Sequence, residues 1–337
     1  MTAPEDPSLA PELPAQSLRS GNIFFCPQPL HSGSQQLRAG PPLRAGWSAL
    51  LFFSVFLIAL FSLSAVLGLL AKHLHLHLHG LRGGDLPPAA GFLSEAVLLV
   101  ATLLATCLMA RIELRPMLSY GLTGPSRLRH FVTGLLAGFG FMSLLVGILV
   151  ATHHLRLDTT TLARAALWRY AALWGCIFLL VGFAEELLLR GYLLFTLARG
   201  LRFWPAAILL AVLFGALHKS NPGESPSGLA AAAAAALVFS LSLWRIGSLW
   251  WAIGFHATWD WAESFFYGTP DSGILSQGRL MTAHPVGHLW LSGGATGPEG
   301  SLWCLLVLAL AAGWVLLTQK KTAAFSKQSH SERSEAQ

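Results

Sequence analysis

Long apolar runs separated by short polar stretches dominate residues 47 to 318. Eight of these runs read as membrane spans: Trp47 to Ala71, Gly91 to Ala110, Phe131 to Ala151, about Ala166 to Ala198, Phe203 to His218, Gly228 to Trp244, Ser248 to about Phe266, and Ser301 to Thr318. A helix crosses the hydrocarbon core with roughly 20 residues. The pattern therefore predicts an all-α polytopic membrane helix bundle of about eight transmembrane helices. Residues 1–46 and 319–337 have no long apolar stretch and are rich in Pro, Ser, Gly and charge, so they predict disordered tails. The first tail lacks the apolar core of a secretory signal. Between the tails the chain divides into N-terminal transmembrane helices (47–165), a helical core (166–268), a Gly-rich loop (269–300) and a last transmembrane helix (301–318). No internal repeat of the inverted transporter type is visible.

Three of the runs are interrupted from within. They carry Ala184-Glu185-Glu186-Leu187-Leu188-Leu189-Arg190, Phe214-Gly215-Ala216-Leu217-His218 and His256-Ala257-Thr258-Trp259-Asp260. A charge at the centre of a membrane helix costs roughly 2.5–3.5 kcal/mol on insertion scales. Six such groups on three neighbouring helices predict one buried polar site. Glu95 and Glu263 lie near span ends and are expected to face water or headgroups.

Composition supports the membrane class. The chain is 54% hydrophobic and 11% charged, against about a quarter charged in soluble domains. The net charge of +6 comes with no basic helix face and no aromatic-basic interleaving, so nucleic acid is not an expected partner. With the N-terminus in the cytoplasm, cytoplasmic segments carry most of the 22 Lys and Arg, among them Arg111, Arg115, Arg127 and Arg129 in one loop and Arg199 and Arg202 in another. The asymmetry predicts both termini in the cytoplasm and a non-cytoplasmic 269–300 loop. The four cysteines are scattered, without disulfide or zinc-ribbon spacing. His73, His75, His77 and His79 alternate with Leu and read as an interfacial stretch rather than a metal tract. The run Ala230 to Ala236 is expected to let the sixth helix approach its neighbours closely.

Helix geometry brings the motifs together. The fourth and fifth spans form a hairpin turning near Gly200, with Glu185 and His218 each about 22 to 27 Å along their helices from the turn. The sixth and seventh spans turn near Ile246, placing His256 about 15 Å into the seventh. Glu186 and Arg190, four apart, can pair. Glu185 is rotated about 100° from them and is left for general-base work. His256 and Asp260 share a face, and Phe214 is expected to pack beside His218.

The ordered motifs Glu185-Glu186-x-x-x-Arg190, Phe214-x-x-x-His218 and His256-x-x-x-Asp260 resemble the CAAX-protease and bacteriocin-processing (CPBP) family of intramembrane endopeptidases, related to the type II CAAX prenyl endopeptidase. The resemblance covers about residues 166 to 268. It implies hydrolysis of a peptide bond in a membrane-embedded or lipidated protein or peptide. Glu185 and His218 would activate water, His256 with Asp260 would stabilise the oxyanion, and Glu186 with Arg190 would hold the helix. The family's third motif often ends in Asn where Asp260 stands. An ionised Asp donates no hydrogen bond, so oxyanion binding falls to His256 or to a protonated Asp260. The resemblance leaves two chemistries open: water activated by Glu and His without a cofactor, which is favoured, or water on a zinc held by Glu185, His218 and His256. The alternative outside enzymology is a proton-coupled transporter or an immunity or scaffold factor built on the same buried cluster. The bilayer is the expected setting, the cell membrane in a bacterial host, and nothing in the pattern specifies an oligomeric state.

Overall fold

The computed structural model describes residues 43–74, 85–159 and 162–319. The greater part of both tails and of the His73–His79 tract lies outside these residues. The architecture is the expected all-α bundle. Helices α1 (Ala45–His73), α2 (Pro88–Ile112) and α3 (Arg127–Ala151) precede a pair of long segments. Helix α4 (Arg164–Glu186) runs through a π-helical turn (Leu187–Leu193) into α5 (Leu194–Leu201). The chain reverses at Arg202, whose φ is +74°, and returns as α6 (Phe203–Leu217). Helix α7 (Pro226–Ile246) starts where Ser225 Oγ accepts from the Gly228 N–H at 3.1 Å and stops at left-handed Gly247. Helix α8 (Trp250–Trp261) ends in a second π turn (Ala262–Phe266), and a short α9 (Leu289–Ser292) precedes α10 (Leu302–Thr318).

Among the described residues, six helices are long and apolar enough to cross a membrane, α4 and α5 counting as one 38-residue segment. The remaining two expected spans are shorter helices. Helix α8 is packed between α3 and α4, and Trp251 through Ala257 are all buried. Enclosed by protein, it need not match the thickness of the lipid. The outer helix α1 is the converse case: Ile58, Phe61 and Leu69 are exposed, as a lipid-facing surface requires.

Close approach of α3 to α8 depends on glycine. A Cβ at Gly134 would strike the Trp251 carbonyl oxygen, one at Gly138 the Phe255 carbonyl oxygen, and one at Gly254 the Phe131 carbonyl oxygen. This small-x-x-x-small face sets the depth of α8, and with it His256. Gly138→Leu is expected to cost about 3 kcal/mol or more, because backbone must move. Gly140→Leu, two positions on with open space at its Cβ, should be close to neutral. Melting temperatures of the two purified variants check the contrast.

At the end of α2, Glu113 clamps the Leu187–Leu193 π turn and α5. Its carboxylate accepts from Tyr192 Oη at 2.6 Å, Arg199 Nη2 at 2.9 Å and Tyr120 Oη at 3.1 Å. Burial alone would raise this carboxyl; the Arg199 charge and the three hydrogen bonds outweigh it and hold the group below the ordinary glutamate value. The unfolded chain therefore binds the proton more readily, and the clamp's contribution is complete at neutral pH and lost on acidification below 4.5. Glu113→Gln is expected to lower the melting temperature at pH 7 and to flatten its decline in acid.

The 268–300 segment is not a bare connection. Strand β1 (Leu155–Thr159) pairs antiparallel with β2 (Met281–Pro285), Leu155 opposite Pro285 and Thr159 opposite Met281. Leu86 exchanges backbone hydrogen bonds with Leu275 and Gln277, and Trp174 Nε1 donates to the Gln277 carbonyl at 2.8 Å. Ser227 Oγ donates to the Gly300 carbonyl at 2.6 Å. The segment is thereby laid across one end of the bundle, over α2, α4 and α7.

Candidate active site

The last turn of α4 presents two glutamates in different directions. Glu186 is fully buried, while the Glu185 side chain keeps 24% of its surface open. Glu186 Oε1 accepts from Arg190 Nη1 at 3.0 Å and from His256 Nδ1 at 3.1 Å. The Arg190 guanidinium, 1% exposed, lies 4.6 Å from the Phe214 ring centre and 5.5 Å from that of Phe239. Two aromatic faces and one carboxylate thus replace its water shell. Phe239 also stacks on the His256 ring at 5.1 Å. The imidazole is fixed by one hydrogen bond and one ring face.

With Nδ1 turned to Glu186, His256 directs Nε2 towards Glu185 Oε2 at 3.6 Å and Asp260 Oδ2 at 3.5 Å. Both separations are longer than a direct hydrogen bond and leave the three groups spaced around a common point. His218 approaches from the end of α6. Its Nδ1 lies 2.8 Å from the Phe214 carbonyl oxygen. A carbonyl only accepts, so Nδ1 carries the proton and the neutral ring holds its lone pair on Nε2. The Phe214 ring packs edge-on beside His218, 4.6 Å between centres, and its centre lies 6.3 Å from that of the His256 ring.

Glu185, His218, His256 and Asp260 line one cavity with about 150 Å³ of space accessible to water. Trp174, Ile177, Phe178 and Phe255 supply apolar wall. Glu186 and Arg190 stand behind His256. The α6–α7 contact closes one side, because Gly215 lets the Leu229 carbonyl come close and the alanine run puts Ala232 and Ala235 on the lining.

Residues 167–262 match the family model of the Type II CAAX prenyl endopeptidase Rce1-like proteins. The matched segment runs from the first turn of α4 to the start of the π turn after α8, and it contains all six motif residues. No curated protein and no solved structure matches the chain.

Two glutamates depart from expectation. Glu95 lines the cavity instead of facing headgroups, and Glu263 is wholly buried. Being near the end of an apolar run exposes a side chain only if nothing covers that end, and here the 268–300 segment does. That segment adds Asp271 and Glu299 to the cavity wall. Burial first, and then the Glu299 charge, push the Asp271 carboxyl well above the ordinary aspartate value. Neither residue carried a signal in the sequence, because a loop without periodicity does not reveal which side chains point inward.

A zinc held by Glu185, His218 and His256 would need one atom from each at about 2.0–2.2 Å from a single point. Among the described residues, the group of three whose ligand atoms all lie within 4.8 Å of one another is Glu263, Asp271 and Glu299. The three motif residues are not so gathered.

Proposed function

We propose that this protein is an intramembrane endopeptidase, hydrolysing a peptide bond in a membrane-embedded or lipidated protein or peptide with water activated by Glu185 and His218. The observation that carries the reading is the convergence of Glu185, His218 and His256 on one cavity within the Rce1-like segment. A water between the first two donates one hydrogen to the Glu185 carboxylate and the other to the His218 Nε2 lone pair. Its own lone pair is then aimed at the substrate carbonyl. Proton transfer to Glu185 accompanies attack, and the same carboxyl returns that proton to the departing amine. A His256 protonated on both nitrogens keeps its bond to Glu186 and offers Nε2–H to the developing oxyanion, beside Asp260. The apolar wall suits a substrate that arrives from lipid.

The reaction we propose uses no metal; in its support, the ligand atoms of Glu185, His218 and His256 are not gathered within 4.8 Å of one another. The test is mass spectrometry of cleavage products in host membranes carrying the wild-type chain or Glu185→Gln. New termini that depend on Glu185 support the protease reading; identical peptide maps point instead to a transporter or scaffold. In the same assay 1,10-phenanthroline, which removes zinc but leaves calcium and magnesium, is expected to have no effect. Loss of cleavage that zinc restores would move the chemistry to a metal.

A further inference from the structure

At the edge of the cavity, near the end of α8, three carboxylates meet, two of them on the cavity wall. Glu263 comes from the π turn, Asp271 and Glu299 from the two ends of the covering segment, and one oxygen of each lies within 4.8 Å of the others. Among the described residues no Lys, Arg or His forms an ion pair with any of them. Glu263 is the telling member. It is 0% exposed, and neither of its oxygens has a hydrogen-bond partner. The Glu299 backbone N–H is close enough to act on it electrostatically but not to hydrogen bond it. A charge left buried and unpartnered is strongly destabilising.

The other two carboxylates are held in place. Trp259 Nε1 donates to Glu299 Oε1 at 2.8 Å, Ser272 Oγ to Glu299 Oε2 at 2.7 Å, and Ser264 Oγ to Asp271 Oδ2 at 3.3 Å. Each bond orients an oxygen while leaving it a lone pair, as outer-shell donors do around metal ligands. Gly297, with φ of +101°, packs where a Cβ would stand 3.2 Å from Glu263 Oε1. A side chain at 297 would crowd that oxygen, so the glycine leaves room for the carboxylate beside its two partners.

We infer that Glu263, Asp271 and Glu299 bind a hard divalent cation, Ca2+ by preference, which ties the covering segment to α8. Three carboxylate oxygens and no nitrogen or sulfur select a hard ion. Ligands about 2.4 Å from a Ca2+ ion lie at most about 4.8 Å apart, whereas Mg2+ demands a tighter octahedron. The site shares the cavity wall with the proposed proteolytic machinery but uses none of its residues, and does not depend on it.

The test uses the full chain, purified in detergent and stripped with chelator, with Ca2+, Mg2+ or Tb3+ as probes. Saturable binding of about one Ca2+ per chain is expected, tighter than about 1 mM, the weak end for protein calcium sites. Tb3+ should show luminescence sensitised by Trp259. Glu263→Gln and Asp271→Asn should each weaken binding at least tenfold. Glu224→Gln, a carboxylate bonded instead to the Ser225 N–H, should not. Ca2+ should raise the melting temperature of the wild type but not of Glu263→Gln, which without cation should melt above the stripped wild type. If Glu263→Gln fails to accumulate, Asp271→Asn decides. Absence of saturable binding by any of the three ions, or binding unchanged in the variants, overturns the site and leaves the carboxyls sharing protons.

Discussion

Glu185→Gln is expected to remove cleavage, by about 10^2- to 10^4-fold in kcat as for loss of a general base, while leaving the melting temperature where it was. The two halves of this expectation rest on different observations. The Glu185 carboxylate lines the cavity and is a quarter open. It makes no direct hydrogen bond to His256, whose Nε2 is 3.6 Å away. An amide of the same shape therefore strands no partner. What it cannot do is accept the proton of a water. His218→Gln should fall in the same direction by less, since it keeps an acceptor near the water but loses the imidazole geometry. Turnover of a cleaved membrane substrate and thermal unfolding, measured on one preparation, separate the two readouts. A large fall in melting temperature for Glu185→Gln would make it a structural residue and sink its assignment as base.

The parts of this site that were legible in the sequence are those governed by helix period and depth. Apolar runs without charge become helices because the backbone must satisfy itself in lipid, so α1 to α7 fall near their expected places. Glu186 and Arg190 pair because they are four apart on one helix. Glu185 and His218 reach one cavity because similar lengths of helix separate each from the reversal, which the structure puts at Arg202. The parts that were not legible depend on tertiary contact. The bond between Glu186 and His256 joins residues 70 apart in sequence, and no local rule pairs them. The π turn after Glu186, the shortness of α8, and the inward aim of Glu95, Asp271 and Glu299 arise the same way. Each is set by what lies across from it.

That long-range bond makes Glu186 the second residue whose loss should have a large effect, of a different kind from that of Glu185. Glu186 is fully buried, and its Oε1 is the acceptor for both Arg190 and His256. Glu186→Gln leaves one carbonyl oxygen for two donors and a guanidinium without its charge partner. Breaking a buried pair from one side costs about 3–5 kcal/mol, so expression and melting temperature should fall together with activity. The double substitution Glu186→Met with Arg190→Met separates the two losses. Replacing both members of a buried ion pair by apolar residues of similar size is often neutral or stabilising, and the Phe214 and Phe239 rings are already placed to pack against a thioether. The double variant should recover most of its thermal stability. It should not recover cleavage, because His256 Nδ1 has lost its acceptor and the ring no longer has a reason to hold Nε2 toward Glu185 and Asp260. Recovery of stability and activity together would reduce Glu186 to a counter-ion for Arg190; recovery of stability alone would make it the group that positions His256.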